Sequence, residues 1–283
     1  MRLIAFCKEH EIGLRGIVPF GAVHLVALIG LATVSWSPRW LSFCLAVYTV
    51  RMFFVTAGYH RYFSHRAFET GRTFQFILAV CAMTSTQKGP LWWAAHHRRH
   101  HRYSDTPDDP HSAYQNGFWW AHVGWVLSDR FNKTTLEEVR DLLRFPELVW
   151  LNRSPNYLVP PVAFAVVLLL FGGWPALVWG FFFNTVLLWH WSFSINSLAH
   201  LVGVRRYETP EPDRSKNSWW LAIPTLGEGW HNNHHRYPSS ARQGFVWWQY
   251  DLTYAALCLL ALCGIVQNLQ RPTPDVVAEG YAF

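Results

Sequence analysis

Between Gly16 and Pro38 the chain carries no Asp, Glu, Lys or Arg, and between Ser154 and Val204 it again carries none. A bilayer core about 30 Å thick takes roughly 20 apolar residues per helical crossing. The first stretch is therefore long enough for one crossing and the second for a hairpin of two. Its turn falls at "FGGWP", residues 171 to 175, where glycine and proline interrupt a helix. Another crossing runs from Trp40 to Gly58, broken only by Arg51, whose long stem is expected to reach an interface. The charged fraction of 15% agrees, since a soluble domain carries about 25%.

Two shorter apolar segments read differently. Thr73 to Gln87 is uncharged, but as a helix it is about 22 Å long and short of a crossing; it reads as an interfacial or buried helix. Leu252 to Gln270 follows "RQGFVWWQYDLTY" and reads as a helix lying on the membrane or packed on the part outside it. The expected fold is an all-α integral membrane protein, one domain over residues 1–283. Its four spans lie at about 16–36, 40–58, 156–174 and 176–199, with a helical cap from 59–153 and 200–283.

Charge sets the orientation. Arg2, Lys8 and Arg15 precede the first span, and most other Arg and Lys lie between Arg61 and Arg153, whereas the loop between the first two spans holds Arg39. The positive-inside rule then places both termini and the cap in the cytosol. No cleavable signal peptide is evident. The net charge of +6 reflects orientation and an anionic substrate rather than nucleic acid, for which no basic stripe or binding module is present. Cys7, Cys44, Cys81, Cys258 and Cys263 have no CxxC spacing and offer neither a disulfide framework nor a thiolate metal site.

Within this topology the histidines fall on one side. "HRYFSH" at 60–65 follows the second span, "HHRRHH" at 96–101 lies in the same segment, and "WHNNHH" at 230–235 follows the hairpin. On a helix, residues i, i+3 and i+4 share a face, so His97, His100 and His101 are expected to converge on one point, and His231, His234 and His235 on another. With 15 histidines in 283 residues, the pattern HxxHH arises by chance roughly 0.04 times per chain, so two occurrences argue for a metal site over solvated histidines. Imidazole suits iron, zinc, copper and nickel. Eight histidines in three clusters exceed one tetrahedral zinc, two metals fit the number, and redox-active iron leads. "INSLAH" adds Asn196 and His200 on one face at the end of the fourth span, where an ionisable group is a functional candidate.

The segments "TAGYHRYFSH", "HRRHHRYSDTPDDPH", "NSLAH", "EGWHNNHHRYP" and the neighbouring "FWWAHVGW" resemble the histidine boxes of the membrane fatty acyl desaturases, in particular the acyl-CoA delta-9 (stearoyl-CoA) type, over roughly residues 45 to 250. The resemblance implies four transmembrane helices beneath a cytosolic cap holding two iron ions. It implies His60, His65, His97, His100, His101, His200, His231, His234 and His235 as ligands, with Asn196 acting through a water. It further implies a cis double bond, at delta-9, inserted into a long-chain saturated acyl-CoA with dioxygen and two external electrons. Metal and dioxygen supply the oxidant that no side chain provides, while the protein holds the chain and keeps water out.

Tyr59 departs from the small residue usual before the first box, and His96 adds a histidine before the second. His96 cannot share a face with His97, so His97 is taken as the ligand and His96 as a support behind it. No cytochrome b5 or flavin domain is evident, so electrons are expected from a separate ferredoxin or cytochrome b5. Lys88, Arg98, Arg99 and Arg153 are candidates for the anionic head group of the thioester, with solvated or orienting roles as the alternative. His10, His24, His111, His122 and His190 lie outside the spacing pattern and read as structural, His111 and His122 as hydrogen-bonding supports. Trp36, Trp40, Trp150 and Trp189 read as interfacial anchors. The competing activities are an acyl-lipid desaturase or a hydroxylase on the same centre. A metal transporter fits less well, because its ligands would lie near the bilayer midplane.

Overall fold

The computed structural model describes residues 2–280. It is 65% helix, and its one small sheet pairs β1 (Glu69–Thr70) with β2 (Val266–Gln267) antiparallel. Among the described residues, three helical stretches are long and apolar enough to cross a membrane: Leu14–Thr33, Pro38–Ser64 and Asn156–Leu201.

The first is α1 (Leu14–Thr33). The second begins as α2 (Pro38–Phe53), capped by the Ser37 side chain on the Trp40 amide with proline in the first turn, a favoured helix start. It continues as a π-helix over Phe54–Ser64. Next come α3 (Arg72–Met83) and α4 (Pro90–Tyr103). The third long stretch contains α5 (Val159–Leu177) and α6 (Phe183–Leu201). It breaks at Gly173, whose φ of 63° and ψ of −162° no β-carbon tolerates well. The two limbs fold back on each other, with Phe164 against Phe181 at 6.2 Å. The break falls inside "FGGWP", where the uncharged stretch requires it. Further on come α7 (His231–Arg236) and α8 (Leu252–Leu262).

The two doubtful segments are short helices. The twelve residues of α3 span about 18 Å and bury Leu78, Ala79, Ala82 and Met83 against the π-helix. Gly58 permits this approach, since a β-carbon there would lie 3.2 Å from the Leu78 carbonyl oxygen. Helix α8 stops at Leu262, and its chain returns through Gly264 to β2. Leu257 is buried while Leu259 and Leu262 are exposed.

Two expectations fail. Arg51 does not reach an interface: it is 3% exposed and donates to Asn184 Oδ1 (2.6 Å), Thr185 Oγ1 (2.8 Å) and the Thr84 carbonyl (2.6 Å). Acceptors on α6 and at the end of α3 hold both Nη atoms of the guanidinium inside the bundle, so the side chain does not extend outwards. Trp189 is buried and donates to the Ser85 carbonyl, so it packs between helices, whereas Trp36 and Trp150 are exposed.

Candidate metal centre

The π-helix decides the first box. His60 and His65 are five positions apart, which an α-helix would rotate well apart; the i to i+5 bonding of a π-helix makes five residues about one turn. The two rings come within 5.0 Å of each other. Arg61, between them in sequence, is fully buried and bonds Glu228, Asp251 and the Ala241 carbonyl, which anchors the π-helix to later parts of the chain.

The structure gathers nine histidines into two clusters. His60, His65, His97, His101 and His234 form one, and His100, His200, His231 and His235 the other; within each, one nitrogen per residue lies within 4.8 Å of the rest. This corrects the convergence of each HxxHH trio on one point. His97 and His101 go to the five-histidine cluster and His100 to the other, while His231 and His235 go to the four-histidine cluster and His234 to the first. Residues i+3 and i+4 are about 100° apart around the helix, so an i, i+4 pair faces one cluster while the histidine at i+3 faces its neighbour. The clusters touch through the His101 and His235 rings, stacked at 4.3 Å.

Behind the rings stand carboxylates that the sequence reading did not single out. Nδ1 of His100 meets Asp109 (3.0 Å), Nδ1 of His200 meets Asp105 (2.8 Å), Nδ1 of His235 meets Asp213 (2.9 Å), and Nδ1 of His60 meets Glu228. A carboxylate at Nδ1 holds the proton there and leaves Nε2 as a lone-pair donor. Nε2 of His100 and Nε2 of His235 then face each other at 3.4 Å, both as acceptors when neutral, and a cation between them resolves that opposition. Buried Nδ1 atoms of His231 and His234 have no partner among the described residues. The residues therefore fit a pair of metal ions with imidazole ligands. The acids' signal was their place beside the boxes, in "SDTPDDPH", "PDRS" and "EGWH".

Electrostatics agree with neutral ligands. Burial, with neighbouring histidines, holds His65, His97, His101, His231 and His234 well below the ordinary histidine range, and burial pushes His235 down to about 4 despite Asp213. His100 is the exception: burial lowers it, but Asp109 more than offsets this and raises it. Burial would raise Glu228, yet His60 and Arg61 leave it below the usual carboxylate range. The Asn-Asn pair of the last box orients α7: Asn232 Oδ1 accepts from the Arg206 and Tyr207 amides, and Asn233 Nδ2 donates to Gln243 and Gln249.

Other expected residues lie apart. Asn196 is half-buried one turn before His200 and bonds no described side chain. His96 joins neither cluster although it lies one turn before His100 on α4: its Nδ1 donates to the Trp92 carbonyl and its ring is held among Trp92, Trp125 and Phe131. His111 packs on the His100 ring at 4.3 Å. All five N–H groups of Arg98 are engaged by Ser64, Phe63, Glu138 and Asp141. Lys88 bonds Asn132 and lies over Trp92, and Arg99 bonds the Asp108 carbonyl. Arg153 is exposed.

A family model described as fatty acid desaturase matches residues 35–261. The chain is 36% identical over 272 residues to an sn-2 palmitoyl-lipid 9-desaturase from Nostoc sp., covering 93% of this chain and 92% of that protein. It is 35% identical to an sn-1 stearoyl-lipid 9-desaturase from Synechocystis sp., over 92% of this chain and 81% of the relative. It is 36% identical to an acyl-CoA C20 Delta5-desaturase from Anemone leveillei, over 89% and 80%.

Proposed function

This chain belongs to the fatty acid desaturase family, and on that premise we propose that it inserts a cis double bond at the ninth carbon of a long-chain saturated acyl group. It is a membrane oxidoreductase that uses dioxygen. The observation that carries the reading is the pair of buried histidine clusters, nine imidazoles divided five and four with carboxylates behind them. His60, His65, His97, His101 and His234 would hold one iron, and His100, His200, His231 and His235 the other, with Asn196 reaching the second through a water. When bound, the two irons supply the oxidising power for removing hydrogen from an unactivated methylene. The chain's own part is to keep the ligands neutral and to orient them: Asp105, Asp109, Asp213 and Glu228 fix the imidazoles, and Arg61 holds the π-helix in place. The hairpin at Gly173 supports four spans at about 16–36, 40–58, 156–174 and 176–199, with the remainder, 59–153 and 200–283, as a cytosolic cap of a single domain. Two electrons come from a separate ferredoxin or cytochrome b5.

The carrier has two readings. Of the four candidate cations, Arg98, Lys88 and Arg99 are engaged within the protein and Arg153 is exposed, which supports a glycerolipid-linked acyl chain, as in the names of the Nostoc and Synechocystis relatives. Acyl-CoA stands as the second reading, in keeping with the name of the Anemone relative. Purified protein in lipid nanodiscs, loaded with iron and given a donor, tests both with stearoyl-CoA and with stearoyl glycerolipid. A delta-9 monoene from one carrier assigns it; hydroxylated product or no product, with iron bound, overturns the reading.

A further inference from the structure

Three histidines outside both clusters form one hydrogen-bonded chain. His24 on α1 and His190 on α6 meet through their Nε2 atoms at 3.0 Å, and Nδ1 of His190 meets Nε2 of His122 at 3.0 Å. Nδ1 of His122 meets Ser197 Oγ at 2.9 Å, and Nδ1 of His24 donates to the Phe20 carbonyl at 2.8 Å. All six ring nitrogens are engaged. The far end is a carbonyl that only accepts; the near end is a hydroxyl with a second acceptor, the Phe193 carbonyl at 3.0 Å. Ser197 is fully buried and lies one helical turn before His200.

This arrangement does not set the number of protons. With all three rings neutral, His24 carries its proton on Nδ1, so His190 donates from Nε2, His122 donates from Nε2, and Ser197 donates to His122. With one more proton, Ser197 turns its hydrogen to the Phe193 carbonyl, and every nitrogen again has a partner. A buried group that gains charge normally loses a hydrogen bond or needs a counter-ion; here one hydroxyl rotation keeps every nitrogen bonded, while burial lowers His122 to about 4, so a proton taken up is readily given back. The surroundings are Phe20 and Trp189 around His24, and Phe118 and Phe193 around His122. Among the described residues no carboxylate or guanidinium contacts the chain, so its charge answers to that of the nearby histidine clusters.

We propose that His24, His190, His122 and Ser197 form a one-proton reservoir for oxygen reduction at the histidine clusters, an inference that rests on the desaturase reading above. Desaturation breaks two C–H bonds, forms one C=C bond and reduces one dioxygen to two waters. Two of the four electrons and two hydrogens come from the substrate, two electrons from the external reductant, and two protons from the protein and solvent. The chain would take up one of those protons and release it at its Ser197 end, which lies one helical turn before His200. These are proton-positioning residues, since none touches the reacting carbons.

The test uses the full-length protein in nanodiscs, with His190→Gln and Ser197→Ala, and His24→Phe at the half-buried end in case His190→Gln fails to fold. In metal-free protein labelled with 15N-histidine, Ser197→Ala should shift the ring resonances of His190 and His24, which it does not touch; shifts confined to His122 would overturn the continuous chain. In iron-loaded protein, the His190 or His24 variant should lose about tenfold in rate near neutral pH, less than a proton donor in direct contact would cost. Its rate should then rise about in proportion to proton concentration as pH falls, while the wild-type profile stays nearly flat. An equal loss at every pH, with lowered thermal stability, would mean that the chain is only a tie between α1 and α6. Failure of the wild type to desaturate any carrier would sink the functional reading, whereas the resonance shifts judge the chain independently.

Discussion

The two histidine clusters are built from the same boxes but supported in different ways. All four rings of the four-histidine cluster are buried, and three of them rest on an aspartate. Three of the five rings in the other cluster, His65, His97 and His101, are only half-buried, and a single carboxylate, Glu228, stands behind the buried His60. That cluster is held through its backbone instead: Arg98 bonds the carbonyls of Phe63 and Ser64, next to His65, and Arg61 ties down the π-helix. Anions behind an imidazole raise its basicity and set its tautomer, whereas backbone ties set only its position. The four-histidine cluster should therefore bind metal more tightly, and the five-histidine cluster should exchange it faster.

The strongest way to break the comparison is to remove one ligand from each side. His200→Ala and His97→Ala should each lower product formation by on the order of a thousandfold or more, because an oxidant built on two metals fails when either is lost. Metal content measured on each variant should fall by about one ion; retention of both ions would dismiss the division into two sites. Next in size, Asp213→Asn or Asp105→Asn should weaken metal binding by roughly 10- to 100-fold, read by competition with a chelator. The loss should be confined to the more tightly bound ion, and an equal effect on both would erase the proposed difference.

Arg98→Met tests the backbone support of the other cluster. Losing several charge-assisted bonds to half-buried acceptors should cost about 2 kcal/mol of stability, and the weaker metal should leave faster, while Arg99→Met should change thermal unfolding little. The smallest expected signal concerns protons. Asp109 raises His100 above the ordinary histidine value, so in metal-free protein that ring stays charged to higher pH and its pairing stabilises the fold below that point, fading as pH rises through it. His65, His97, His101 and His234 are lowered, so their neutral rings favour folding above about 6.5 and oppose it as pH falls below. Calorimetry in two buffers near neutral pH should show proton release as metal fills the four-histidine cluster, and Asp109→Asn should reduce it; unchanged release in that variant would refute the assignment.

Much of this protein was legible one segment at a time. The long uncharged stretches and the break at Gly173 depend on residues near each other in sequence, and the structure places helices accordingly; the HxxHH spacing marked the clustered histidines but not how each trio divides between the two clusters. Arg51 was misread because its acceptors, Asn184 and Thr185, are more than a hundred residues away. Asp105, Asp109, Asp213 and Glu228 were overlooked for a related reason: an acid becomes a partner of histidine only once packing has brought it to Nδ1. His24, His122 and His190 each looked isolated, and their continuity exists only where α1, α6 and the 120–124 turn meet.

The sequence by itself determined that the chain is a helical membrane protein with histidines enough for two metals, since hydropathy runs and helical spacing are local properties that elementary geometry converts into structure. Tertiary structure decided which histidine joins which cluster, which acid stands behind it, and how three unremarkable imidazoles come to share one proton chain. A helix face is fixed by 100° per residue, but what that face meets depends on the packing of every other helix.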